Sequence, residues 1–86
     1  MTPPARLYFW RTRTGTEVDF ILEHGRRLLA IEVKHTANPN YGDAAGLRSF
    51  LAEYPKASGG LLLHGGREIR RLDQAILAVP WTIMTG

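Results

Sequence analysis

Cysteine is absent from the chain, which excludes disulfide staples and thiolate metal sites and leaves packing to hold the fold. No apolar run approaches the roughly 20 residues of a membrane helix. Met1-Thr2-Pro3-Pro4 carries no apolar core of a signal peptide, so the expected location is the cytoplasm. Low-complexity tracts and internal repeats are missing as well. Lysine is scarce: 2 Lys stand against 9 Arg, and the net charge is +3. That is a mild tilt toward anionic partners such as nucleic acid, and it fits a solvated basic surface equally well. What remains is 86 residues, 44% hydrophobic and 22% charged, the size and make-up of one soluble globular domain over residues 1–86. A domain this small buries a modest fraction of its surface, so its stability margin is thin.

Hydrophobic patterning places the elements. Leu7-Tyr8-Phe9-Trp10 reads as a first strand. Arg13-Thr14-Gly15-Thr16 makes a turn, and Glu17 to Leu22 a second strand. Glu23-His24-Gly25-Arg26 has hairpin chemistry because Gly25 accepts a positive φ, and Leu28 to Lys34 is the third strand. Short turns between close runs predict an antiparallel meander. Asn38-Pro39-Asn40 breaks the pattern, and a helix is expected from about Tyr41 to Tyr54. Asn40 is its N-cap and Asp43 lies in its first turn. Ala44, Leu47, Leu51 and Tyr54 share its apolar face with Phe50 at the flank, and Pro55 stops it. Gly60 to His64 reads as a buried strand, Gly65-Gly66 as a turn, and Glu68 to Leu72 as a second short strand. Ile76 to Val79 is a last strand or apolar segment ended by Pro80. The expected class is α/β (α+β), a mixed sheet of order β-β-β-α-β-β with a short tail. The third strand and the Leu61 strand should be parallel neighbours joined by a right-handed crossover. One helix covers one face of a sheet. The other face therefore calls for a second copy, giving a homodimer, or for the rest of a longer protein from which this chain is a fragment.

Two strands carry charge where strands usually do not. Glu17 and Asp19 are two apart and are expected on one face, with Val18 and Phe20 on the other. Glu32 and Lys34 share a face of the third strand, opposite Ile31 and Val33. A carboxylate and an ammonium in a central strand cost several kcal/mol unless they pair or bind an ion. If the two strands pair through the Gly25 turn, Asp19 and Glu32 come side by side, and a hard divalent cation relieves their repulsion. Mg²⁺ takes one or two carboxylates plus waters, with Mn²⁺ as its substitute, and the Val33 carbonyl would add an oxygen. Lys34 would then orient a water or offset charge on a phosphate.

Asp19 followed, after 12 residues, by Glu32-Val33-Lys34 resembles the D…ExK signature of PD-(D/E)xK nucleases. The ordered set Tyr8-Phe9-Trp10-Arg11, Gly15-Thr16-Glu17-Val18-Asp19-Phe20, Ile31-Glu32-Val33-Lys34 and Gly46-Leu47-Arg48-Ser49-Phe50 looks like a domain of unknown function that forms the C-terminal part of many bacterial and archaeal AAA-type ATP-binding proteins. The likeness spans nearly the whole chain. It implies a restriction endonuclease-like core, with Asp19 and Glu32 as Mg²⁺ ligands and Lys34 assisting phosphodiester hydrolysis. It implies DNA and an AAA-type ATPase part of the parent chain as partners. The superfamily's first helix has no counterpart before Leu7, and no GxxxxGK[ST] phosphate loop occurs, so the chain itself should not hydrolyse ATP.

Each residue also has a plainer reading. Asp19, Glu32 and Lys34 fit a retained structural ion pair in a catalytically inactive interaction or oligomerisation domain, since fold does not fix function. A defence-associated, antitoxin-like module is a third option without direct support in the residues. Glu17 reads better as a strand-edge charge than as a ligand. His24 reads as an exposed turn residue, His35 as a loop histidine within reach of a phosphate, and His64 as a hydrogen-bonded structural residue. Trp10 and Trp81 read as core or interface aromatics. Arg11, Arg13 and Arg48 join His35 as weak candidates for phosphate-backbone contacts.

Overall fold

The computed structural model describes residues 5–13 and 15–85. Thr14, in the turn expected after the first strand, and the Met1–Pro4 segment lie outside the described residues. Six strands and two helices follow in order: β1 (Ala5–Arg11), β2 (Glu17–His24), β3 (Arg27–Lys34), a 3₁₀ turn (Tyr41–Ala44), α1 (Ala45–Glu53), β4 (Gly59–His64), β5 (Arg70–Asp73), β6 (Ile76–Pro80) and α2 (Trp81–Thr85). The class is α+β. No helix among the described residues is long and apolar enough to cross a membrane.

The strands form one sheet of order β1-β2-β3-β4-β6-β5. β1, β2 and β3 make the expected antiparallel meander, and Gly25, at φ 64°, turns the β2–β3 hairpin. β3 and β4 are parallel across the α1 connection, as the crossover length requires. The Ile76 segment departs from the expected order of two strands after the helix. It is a full strand inside the sheet, parallel to β4, and it pushes β5 to the edge. Ile76 and Ala78 alternate into the core beside Gly60 and Leu62, and that burial, rather than strand length, fixes its place. The chain closes with α2, which follows Pro80 directly.

The N-cap reading is upheld and extended. The Asp43 N–H donates to Asn40 Oδ1 at 3.1 Å, and the Asn40 N–H donates to Asp43 Oδ2 at 2.9 Å, a reciprocal capping box. The helix is entered through the tighter 3₁₀ turn, which advances side chains faster around the axis than an α-turn. Within α1 Leu47 and Phe50, the latter expected at the flank of the apolar face, are both buried, while Tyr54, past the helix end, is 40% exposed. Tyr54 leaves the helical region at φ −123°, ψ 72°, as the residue before Pro55 must.

α1 packs on one face of the sheet, where Leu47 and Phe50 meet Val18, Ile21, Ala30, Leu62, Ile76 and Ala78. Trp10 meets Phe50 edge to face at 5.4 Å, in the core as expected. The opposite face is a set of cross-strand apolar rows. One row runs Phe20, Ile31, Leu61, Leu77 across four strands; Val33, Leu63 and Val79 form another, and Leu7, Leu22 and Leu29 a third.

Candidate active site

The site begins with a break in strand alternation. Tyr8 pairs with Ile21 and Trp10 with Val18, so Asp19 and Phe20 together stand opposite the single residue Phe9. This β-bulge puts Val18 and Ile21, three apart, on the same buried face. The expectation that Glu17 and Asp19 share one face and Val18 and Phe20 the other is therefore corrected. Val18 is fully buried, whereas Phe20 is 44% exposed on the outer face. Glu17 pairs with Arg11 at 2.9 Å, the strand-edge role favoured for it.

Beyond Phe20–Ile31 the regular β2–β3 register ends, and the two carboxylates take over the pairing. The Asp19 N–H donates to Glu32 Oε1 at 3.1 Å, and the Val33 N–H donates to Asp19 Oδ2 at 2.9 Å. Each carboxylate accepts from the other strand, so the bulge and the acidic pair are one feature. Two acidic side chains from adjoining strands thus converge on one place. Glu32 is 7% exposed, and its carboxyl is pushed up to about 7. Burial is the main cause and the neighbouring Asp19 carboxylate the next; the Asp19 N–H and the Lys34 charge pull the other way.

An open pocket of about 410 Å³ contains this pair, lined by Thr16, Asp19, Glu32, Lys34, Asp43 and Gly46 among others. Val33 contributes its N–H to Asp19 and lines the same pocket. Lys34 joins neither ion pair found among the described residues, Arg11–Glu17 and Arg70–Glu68. Hydrogen bonding across the bulge, not a Lys–carboxylate pair, is the structural task of the two acids. The first turn of α1 closes the pocket wall. A β-carbon at Gly46 would overlap the Glu17 carbonyl oxygen and approach Glu32 Oε2 to 3.3 Å, so glycine is what lets the helix come this close.

Asp43 and Gly46 are pocket residues that sequence reasoning missed in that role. The signal was in the topology: a helix that leaves the end of β3 starts beside the groups at that end. Among the described residues no cluster of three or more His, Asp or Glu is disposed to hold a metal ion. The donor set is two carboxylates beside an ammonium, which fits a hard, water-rich cation such as Mg²⁺ and not a soft one.

The four basic candidates lie elsewhere. Arg11 is tied to Glu17 and sits 5.9 Å from the Phe9 ring centre. Arg48 lies 3.6 Å over the Tyr41 ring and donates to the Tyr41 carbonyl, which braces the start of the helix. His35 packs edge-on against Trp81 at 5.6 Å, and Arg13 is exposed. None of them lines the acidic pocket. His64 is 1% exposed, accepts from the Gly66 N–H at 3.0 Å and faces the Glu68 carbonyl at 3.0 Å, the structural role expected of it.

No curated protein and no solved structure matches the chain. A family model does: DUF4143, a domain of unknown function, matches residues 2–84, and the chain belongs to that family.

Proposed function

We propose, from this family membership and the pocket together, that the domain is a Mg²⁺-dependent nuclease-like module. It acts on or binds DNA in the cytoplasm as an accessory to an AAA-type ATPase. The observation that carries the reading is the convergence of the Asp19 and Glu32 carboxylates, from adjacent strands, in an open pocket that Lys34 also lines. The fold-level counterpart of the reading is a restriction endonuclease-like, PD-(D/E)xK core.

In this reading Asp19 and Glu32 hold the cation and the Val33 carbonyl adds an oxygen. A bound Mg²⁺ would polarise a phosphoryl oxygen and lower the pKa of a water. Asp19 is positioned by the Val33 N–H, and Glu32 by the Asp19 N–H, so each ligand is oriented by the strand that carries the other. Lys34 stays out of the ion pairs and remains available to offset charge on a phosphate oxygen. Gly46 sets the depth of the pocket by admitting the helix turn beside Glu32. Of the four basic candidates, Arg13 and His35, both exposed, are left to meet a phosphate backbone outside the pocket.

Titration calorimetry with Mg²⁺ and with Mn²⁺, with and without duplex DNA, tests the reading. Binding that Asp19→Asn abolishes, with an unchanged circular dichroism spectrum, is the expected result. Absence of binding under every condition overturns it. The hydrogen bonds across the bulge favour a second reading, in which the carboxylates serve structure and the domain is a non-catalytic interaction module. The same titration then shows no heat.

A further inference from the structure

We infer that the outer face of the sheet is the contact surface of a homodimer, two copies packed sheet to sheet with α1 outermost on each side. The middle of the face is apolar from β1 to β6, with the His24–Arg27 pair at its hairpin end. The row Phe20, Ile31, Leu61, Leu77 crosses four strands without a polar residue, and Arg71 closes it at the β5 edge. Leu7 and Phe9 are 63% and 66% exposed. The middle of this face is the parallel set β3-β4-β6, and purely parallel sheets have both faces covered. α1 lies on the other side, and the five-residue α2 reaches the sheet at β6.

The size of the face points to a second copy as the occupant. Six strands spaced at about 4.8 Å and about 20 Å long span a plan area of about 600 Å². The face therefore lies at the upper end of the largest patch usual on a monomer, about 300–600 Å². It approaches the ~800 Å² per partner of a stable interface. Two apolar sheet faces of branched and aromatic side chains interdigitate about 10 Å apart, and a twofold axis makes any such face complementary to itself. The exposed aromatics Phe9 and Phe20 supply anchors of the kind that dominate interface energy. Charge stays at the rim, where Arg11 and Glu17 neutralise each other within one copy.

Sedimentation velocity of the 86-residue chain from about 1 to about 100 µM tests the assignment. The wild-type chain is expected to sediment as a dimer. Phe20→Glu should weaken the dimer at least ~30-fold, an effect in reach of a central aromatic anchor. Phe9→Glu, on an edge strand and more exposed, gives a second variant whose fold is less at risk. Asp19→Asn should leave the dimer intact, which separates this surface from the acidic pocket. A monomer over the whole range overturns the assignment. So does a dimer that neither glutamate weakens while the far-ultraviolet spectrum stays native. A monomer that pairs only with some other protein counts against it equally.

Discussion

Both faces of the sheet are apolar, and they differ in what covers them. The face under α1 carries the apolar core of Val18, Ile21, Leu47, Phe50, Leu62 and Ile76, and with it the buried polar groups found among the described residues, Glu32 and His64. The open face holds Phe, Leu, Ile and Val in unbroken rows. A sheet with one wet face ordinarily alternates, apolar toward the core and polar toward water, and here the outer face departs from that pattern. The difference teaches that burial here follows two separate demands. The covered face shelters groups whose position matters more than their transfer free energy. The open face leaves apolar surface partly exposed in one copy.

If that division is correct, truncations on the covered face are costly and truncations on the open face are not. Leu47 is fully buried between helix and sheet. Leu47→Ala should lower unfolding free energy by about 3–5 kcal/mol, enough to leave so small a domain largely unfolded near 37 °C, as urea denaturation would show. Gly46→Ala comes next. Its β-carbon meets the Glu17 carbonyl, a backbone atom of β2 that cannot yield without moving the bulge. A loss of about 3 kcal/mol is expected in the same assay. A neutral Gly46→Ala would show that the helix turn is not pressed against the acidic pair.

How far these features were legible in the sequence follows from their range. The capping box at Asn40 and Asp43 was readable because it is local, a matter of residues three apart. The meander and the parallel crossover were readable from turn lengths. Glu32 announced itself as an acid in an otherwise apolar strand. The bulge was not readable. It is a property of the pairing with β1, and nothing within Glu17–Leu22 reveals that two of its residues will face Phe9 alone. A strict period of two therefore put Val18 on the wrong side. The place of β6 inside the sheet depends on where a five-residue strand finds a free edge, which no local pattern records.

The polar side of the comparison has a pH signature. The Glu32 carboxyl is raised from an ordinary 4.5 to about 7 in the folded chain. The folded state therefore holds the proton more tightly than the unfolded one. The associated stability is fully present below about pH 4.5 and is lost as pH rises through about 7. The expected loss is about 2 kcal/mol, somewhat below the full value of the shift because nearby groups reorganise. Glu32→Gln keeps an oxygen for the Asp19 N–H and removes the charge. It should flatten the profile and make the variant the more stable protein at pH 8. Parallel profiles for wild type and Glu32→Gln between pH 4.5 and 7 would show that Glu32 is not sheltered as described.

The smallest expected effect is the most discriminating for the open face. Phe20 is 44% exposed in a single copy, so Phe20→Thr, which puts a β-branched strand former in its place, removes less burial from the monomer than a fully buried side chain would lose. In dilute protein the loss of unfolding free energy should be about 1–1.5 kcal/mol. The comparison sharpens as concentration rises. A dimer that forms only between folded chains stabilises them by mass action, so the wild-type melting temperature should climb with concentration while that of Phe20→Thr climbs less. Leu47→Ala, by contrast, should lower the melting temperature at every concentration, because the contact it removes lies inside each copy. A Phe20→Thr protein that loses as much as Leu47→Ala in dilute solution would mean that the two faces do not differ, and that Phe20 is held by something within its own chain.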